Sequence, residues 1–439
     1  MKFLPLVLLK MHLKYAPSAS SLLFLLVSSC IPAKAIPSQQ PVDRLTCSIQ
    51  HGRTETPLVD SAGSRYSIDL PIVAPVRGGE LWLGDEIRVW PDLDPRVRAY
   101  IGVVNRPDGV RDLVPRPPGA TTMQLPRLVQ SSGGIAHVVW GVRSDTITPR
   151  PRSVSQSLVY SAFDGRLWTP PEVVMSLPDI WWMPGRPSTL AVGSRLYVAV
   201  NNTPTRGESQ RPQAIVARRD NGRWTQVLAA ESPRSYGIHG VRLASMSDSA
   251  LVLVYSGTAT VDSGRSAGTL AVVRSADAGS SWSSPTPIRQ LTRTAMELGG
   301  LHRMKDGTLH LIWAAVRNDV ANAIMHDVSR DDGRTWTPID SIPVPVTFSY
   351  LTSAQVGDHV LVTVHQSDGL IAQAIAGHAG SLRTLTPASI GLPGMHVQGA
   401  DAPVTTWAAE ERVISADGKW TGISGVVYKT TTTMHCGAK

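Results

Sequence analysis

The chain lacks most of the features that would set its chemistry at a glance. It has no Cys/His cluster with metal-ligand spacing, no Gly-rich phosphate loop and no G-x-S-x-G turn, so no metal or cofactor is expected. Regular helix periodicity is scarce. Apolar runs are short: the longest near the amino end, "SSLLFLLVSS", is too short to anchor the chain across a bilayer. There are three cysteines, Cys30, Cys47 and Cys436, in 439 residues. What remains is ordinary for a soluble globular protein, 42% hydrophobic and 17% charged. Short apolar runs alternate with Gly, Ser, Pro and Asp, as in "GGIAHVVWGV" and "GTLHLIWAAV", which predicts a mainly β protein.

The apolar run follows Lys14 and precedes "AKA" at Ala33–Ala35, the layout of a secretory signal ending near residue 35. An alternative cleavage uses "VSSC", which resembles a bacterial lipoprotein box with Cys30 lipidated. Either way the mature protein is expected outside the cytoplasm, secreted or periplasmic, without a transmembrane segment. Residues 1–35 hold four lysines and no acid, so their removal lowers the net charge from +8 to +4. The high isoelectric point then gives no support for nucleic-acid binding. Cys47 and Cys436 remain, and in an oxidising compartment two cysteines usually pair. They stand at opposite ends of the mature chain, so a bridge requires the ends to meet.

Self-comparison finds the organisation. A tight-turn signal between two β runs recurs near Gly79, Gly134, Gly193, Ser249, Gly307, Gly357 and, weakly, Asp401. A second signal follows most of them, an acidic or Asn-Gly turn often ending in Trp: "YSAFDGRLWTP", "ARRDNGRWTQ", "SADAGSSWSSP", "SRDDGRTWTP", "ISADGKWTG". Each unit is two hairpins, hence four strands, in about fifty residues, the period of a β-propeller blade. Seven turn pairs favour seven blades, with six blades plus extra strands as the alternative. The expected layout is an extension over 36–65 and a single propeller over 66–436.

"SADAGSSW" (Ser275, Asp277, Gly279, Trp282) and "SRDDGRTW" (Ser329, Asp331, Gly333, Trp336) match the Asp-box, or bacterial neuraminidase repeat. Spread over a propeller, these copies make the chain resemble the sialidase superfamily along nearly all its mature length. In that family the motif sits on an outer turn of the blade, far from the pocket. Its Asp accepts hydrogen bonds from its own turn, and its Trp fills the seam between blades. These eight residues are therefore expected to be structural.

The resemblance implies three arginines on a substrate carboxylate, a Tyr nucleophile paired with a Glu, and a separate Asp as acid/base. Seven residues before each first-hairpin turn stand Ile72, Arg127, Arg186, Arg242, Gly300, Tyr350 and Gly394. On that register Arg127, Arg186 and Arg242 would hold an anionic group and Tyr350 would attack. Glu297 would be its partner and Asp179 the acid, with Trp181 and Trp182 as a stacking rim. Arg303 and His239 complete the binding candidates. The chain also departs from the pattern. Gln124, in "MQLP", replaces the first arginine of F/Y-R-I-P, and Arg303, in "HRMKDG", replaces the glutamate of E-L-x-D-G. Two functions stay open: an exo-α-sialidase-like glycoside hydrolase on terminal acidic sugars, and a non-catalytic propeller that binds a glycan or an envelope protein.

Overall fold

The structure is a computed structural model. It describes residues 46–57, 65–67, 72–90, 100–106, 111–118, 120, 122–131, 134–144, 155–177, 187–202, 211–231, 238–260, 266–317, 320–366, 371–385, 394–398, 402–414 and 420–437. Among these, only the backbone is described along residues 46–57, 65–67, 72–75, 84–90, 122–125, 344–350, 378–385, 394–398, 402–414 and 420–437 and at some further positions. The expected signal segment and Cys30 lie outside the described residues.

The protein is an all-β propeller of antiparallel units. Sheet 1 holds Arg65–Ser67, Ile72–Val76, Gly79–Trp90, Tyr100–Asn105 and Arg111–Leu113. Sheet 2 holds Thr122–Gln130, Ala136–Ser144, Ser155–Phe163 and Glu172–Leu177. Sheet 3 runs Ser188–Val192, Arg195–Asn202, Gln213–Asp220, Arg223–Glu231, and sheet 4 runs Ile238–Ser245, Leu251–Thr260, Ser266–Ser275, Thr286–Thr292. Sheet 5 has seven strands: Ala295–Arg303, Leu309–Arg317, Val320–Ser329, Thr337–Val356, His359–Gln366, Ile371–Ile375 and His378–Leu385. Sheet 6 joins Gly394–Gln398, Ala402–Ile414 and Trp420–Gly437 to Thr46–Pro57.

This pairing corrects the blade count. Five sheets are separate units, four of them with four strands and sheet 1 with a fifth strand added, so seven separate blades do not form. The physical reason is the 20-residue strand Thr337–Val356. It pairs with Val320–Ser329 through Thr337–Thr347 and with His359–Gln366 from Phe348 to Val356. The hairpins around Gly307 and Gly357 therefore share one continuous sheet.

Residues 46–57, which the repeat frame leaves in an amino-terminal extension, form the outer strand of sheet 6. Their ladder with Trp420–Gly437 sets Cys47 directly opposite Cys436. The inner strands adjoin in turn, sheet 5 supplying two of them: 122–130 with 188–192, that with 238–245, then 295–303 and 337–356 of sheet 5, 394–398 and 72–76. The ends of the described chain thus meet in one sheet, where the ring closes.

Both faces of the middle strands are buried, which is why they read as unbroken apolar runs. In Leu251–Thr260, Leu251, Leu253 and Tyr255 face Tyr197 and Ala199 of sheet 3. The alternating Val252 and Val254 face Leu298, Leu311 and Trp313 of sheet 5. Two of these seams hold a paired charge. Asp327, 1% exposed, accepts from the Trp313 indole at 2.8 Å and from Arg289 of sheet 4 at 2.7 Å. Two seams earlier, Arg219 of sheet 3 reaches Glu172 of sheet 2 at 2.8 Å and lies 4.9 Å over the Tyr160 ring.

Removing one partner of a buried ion pair leaves the other uncompensated. Asp327→Ala should lower unfolding free energy by about 3 kcal/mol in urea titrations. A loss below about 1 kcal/mol would mean that the pair contributes no more than an exposed surface pair does.

Candidate functional site

The ring's inner strands carry β-bulges, and a bulge releases backbone groups from the ladder. Register shifts fall between Gln124 and Arg127, between Ile238 and Gly240, between Leu298 and Gly300, and between Phe348 and Tyr350. A side chain from an adjacent inner strand meets a neighbouring backbone or hydroxyl group at each of four successive seams. Arg127 donates to its own Pro126 carbonyl at 2.9 Å and to the Pro187 carbonyl, at the head of sheet 3, at 3.2 Å. Ser188 Oγ accepts the Leu243 amide at 3.0 Å. Arg242 makes a comparable pair of bonds, donating to the Val241 carbonyl at 2.8 Å and to the Leu298 carbonyl in sheet 5 at 2.6 Å. His302 Nε2 lies 2.8 Å from Ser353 Oγ.

Two of the three register arginines, two units apart, therefore each tie two inner strands together, Arg127 through Nε and Nη1 and Arg242 through its two terminal nitrogens. Charge-assisted bonds to carbonyls fix the guanidinium plane and tie neighbouring inner strands together. Arg186, Asp179, Trp181 and Trp182 lie outside the described residues. Gln124 is described by its backbone alone, opposite Gly141. Tyr350 is likewise placed by backbone, opposite His365 beside its bulge. Glu297 is half-buried on the adjoining inner strand, one residue before the bulge that opens at Leu298. Arg303 is exposed at the far end of that strand, beside the 304–308 turn and three rungs from Gly300. His239 opens the inner strand of sheet 4 and meets Thr258 Oγ1 at 2.8 Å. Crowding by protein lowers its pKa although one edge stays exposed.

The register missed Ser188, His302 and Ser353. Ser188 and Ser353 are small hydroxyl residues at inner-strand positions, and nothing local distinguishes them from loop serines. His302 has a fainter signal. It alternates with apolar residues in "GLHRM", and His310 does so in "TLHLIW", a pattern that puts an imidazole on a blade face.

The two S-x-D-x-G-x-[ST]-W turns have matching geometry. Ser275 Oγ donates to Asp277 Oδ1 at 2.8 Å and accepts the Gly279 amide at 2.8 Å. Asp277 also accepts the Ser281 amide at 2.9 Å and its hydroxyl at 2.6 Å. Ser329, Asp331, Gly333 and Thr335 repeat each bond, at 2.9, 2.8, 2.8 and 2.6 Å. The turn needs two successive positive φ values, 56° and 80° at Ala278 and Gly279, 59° and 76° at Asp332 and Gly333. Each turn is also read by the preceding sheet, for Arg218 donates to Ala278 at 2.9 Å and Arg274 to Gly333 at 3.3 Å. Trp282 packs against Tyr197 and Leu251, and Trp336 joins the Leu309–Trp313 cluster. With every carboxylate oxygen turned onto its own loop, these aspartates act in folding.

No protein-family model and no curated protein matches the chain. Among solved structures it is similar to an ulvan lyase of a polysaccharide lyase family, at 10% identity over 88% of this chain and 96% of that one, with a TM-score of 0.51. It is also similar to a Hadza microbial sialidase, at 17% identity over 81% and 74% with a TM-score of 0.46. A protein of unknown function from Dyadobacter fermentans gives 12%, 71% and 94%, and 0.49. At these identities the likeness is one of fold.

The Ser281 hydroxyl and amide and the Ser275 hydroxyl hold the Asp277 pKa down to about 2. At Asp331, burial pushes the pKa up, but the Thr335 and Ser329 bonds outweigh it and the pKa again falls to about 2. A depressed carboxylate stabilises the fold above its ordinary pKa of 3.8, and that stability is lost as pH falls toward 2. Asp331→Asn should therefore lower the denaturation midpoint by a constant amount from pH 8 to 5, and the gap should close between pH 4 and 2. A gap independent of pH would show that the lost charge is immaterial.

Proposed function

We propose that this protein is an exported propeller that binds acidic glycans at the inner-strand face of its ring. One observation carries the reading: Arg127 and Arg242, on one register, each brace the preceding carbonyl and a carbonyl of the adjoining sheet. A guanidinium already oriented by carbonyls loses little rotamer freedom when it meets a carboxylate, and its fork matches that group's two oxygens. The ulvan lyase and the microbial sialidase, by their names, act on glycans, which agrees with this ligand class. The carbonyl braces serve structure as well, so binding and stability need separate measurement.

Hydrolysis is a second reading, favoured by one placement. Glu297 and Tyr350 stand on adjoining inner strands, each beside a bulge. The resemblance to sialidases assigns the nucleophile and its partner to such a pair, with Asp179 as the acid. Against it stand Gln124 and Arg303, where the family pattern has Arg and Glu.

Calorimetry against a sialylated trisaccharide, a uronate oligosaccharide and neutral lactose tests the first reading. The acidic sugars should bind and lactose should not. Arg242→Gln should weaken binding roughly tenfold or more, the worth of one charge-assisted bond, while the melting temperature is followed in parallel. Equal affinity for acidic and neutral sugars overturns the proposal. A fluorogenic sialoside tests the second reading: release that Tyr350→Phe abolishes establishes hydrolysis, and binding without release leaves a non-catalytic propeller.

We further infer that Cys47 and Cys436 are bridged in the exported protein. Residues opposed in an antiparallel ladder have Cα atoms about 4.5–5.5 Å apart, within the disulfide range. The mass of the intact exported chain should be two hydrogens below that of its reduced form, and Cys436→Ser should destabilise it by about 2–4 kcal/mol. Two alkylatable thiols in freshly isolated protein would disprove the bridge.

A further inference from the structure

Two arginines close the seam between sheets 4 and 5 at the end from which the inner-strand bulges open. The inner strand Ala295–Arg303 runs from that end, past its bulge at Leu298 and Gly300, to the 304–308 turn at the far end. Ala295 lies opposite Val316, so Arg317 stands one rung beyond the ladder, level with Thr294. Leu291 and Ala315 belong to one apolar cluster in this seam, and Arg293 and Arg317 follow them two residues later. Both arginines are exposed, and neither has a hydrogen-bond or ion-pair partner among the described residues. Other arginines nearby are committed: Arg242 to two carbonyls, Arg289 to Asp327 at 2.7 Å, Arg211 to Glu231 at 3.6 Å. Two like charges at one corner of the sheet repel, and an anion there would offset the cost.

Arg293 also holds a backbone that does not suit it. Its φ is 55°, in the left-handed region that costs any residue with a Cβ. Asn221, Ala278 and Asp332 share that region, but a glycine at 78°, 80° or 76° follows each, in a turn between paired strands. Arg293 is followed by Thr294 and joins strands of different sheets. The turn is braced without its side chain. Thr294 Oγ1 donates to the Thr292 carbonyl at 3.1 Å. The Thr294 carbonyl lies so close to Gly268 that a Cβ there would come within 2.1 Å of it. Glycine at 293 would serve this turn better. The fold therefore gives no reason for an arginine at its apex, and a ligand does.

Arg242 meets the same inner strand at the Leu298 carbonyl, 2.6 Å away. Leu298 and Thr294 are four residues apart, about 13 Å at the rise of a β-strand. One carboxylate cannot bridge that length. We propose that Arg293 and Arg317 form a second anion-binding station, so that the ring takes an acidic oligosaccharide with carboxylates on separate sugars rather than a single acidic sugar. The inference rests on the acidic-glycan reading and adds a length to it. One carboxylate lies at Arg242, another lies at the entry of the strand, and the sugar chain follows 294–298 between them. Guanidinium forks suit the carboxylates. Glu297, half-buried between the stations, can accept from the hydroxyls of the intervening sugar.

Calorimetry on the full chain with galacturonic acid, its tetrasaccharide and a neutral glucose tetrasaccharide tests this. The acidic tetrasaccharide should bind roughly tenfold or more tightly than the monosaccharide, the worth of one further charge-assisted contact, and the neutral one should show no such gain. Arg293→Gly and Arg317→Gln should each remove most of that advantage. The melting temperature of Arg293→Gly should not fall, because glycine takes the left-handed backbone without strain. A wild type without the length advantage, or an advantage that survives in both variants, overturns the second station while the acidic-glycan reading stands. So does an advantage lost in Arg293→Gly only together with its melting temperature and kept in Arg317→Gln, which lies outside the turn. Failure of the wild type to bind either acidic sugar defeats both readings.

Discussion

The structure depends on how each unit's inner strand is tied to the next across a gap that no β-ladder spans. Strands that converge on a ring cannot pair from unit to unit, so backbone groups at their bulges need side-chain partners. Arg127 and Arg242 donate to carbonyls, Ser188 accepts an amide, and His302 meets Ser353. These four bonds fix the spacing of the inner strands, and with it the position of any group that faces the ring's mouth. Apolar packing then fills the seams behind them, with Val252 and Leu253 buried on opposite faces of the same strand. Fold and candidate site are therefore not separable layers: an arginine that could meet an anion is also one that holds two units together.

Much of the fold was legible because it repeats. Turn signals at Gly134, Gly193 and Gly307 lie between paired strands, and each has the positive φ that such a turn demands. The S-x-D-x-G-x-[ST]-W turns were legible for the same reason, since their hydrogen bonds run between residues at most four apart. The unit count was not legible. Whether two hairpins belong to separate sheets depends on the continuity of Thr337–Val356, and "VPVTFSY" gives no local sign that the strand passes from one partner to the next.

The site was less readable, again for a physical reason. A seven-residue offset finds the rung on which Arg127 and Arg242 stand, but not the carbonyls of Pro187 and Leu298 they donate to, which lie 60 and 56 residues away. The same holds for His302 and Ser353, 51 residues apart. Spacing along the chain identifies which side chains share a height on the ring. What each touches depends on how far adjoining units rotate, and that is set by the seams.

The closure in sheet 6 has a mechanical side. Thr46 lies opposite Gly437, so both ends of the described chain leave the ladder at the same edge. Tension applied to the two ends would load the rungs one after another, as a zipper is opened, rather than all at once in shear. A covalent tie at the first rungs, where Cys47 lies opposite Cys436, is where such a load would be borne.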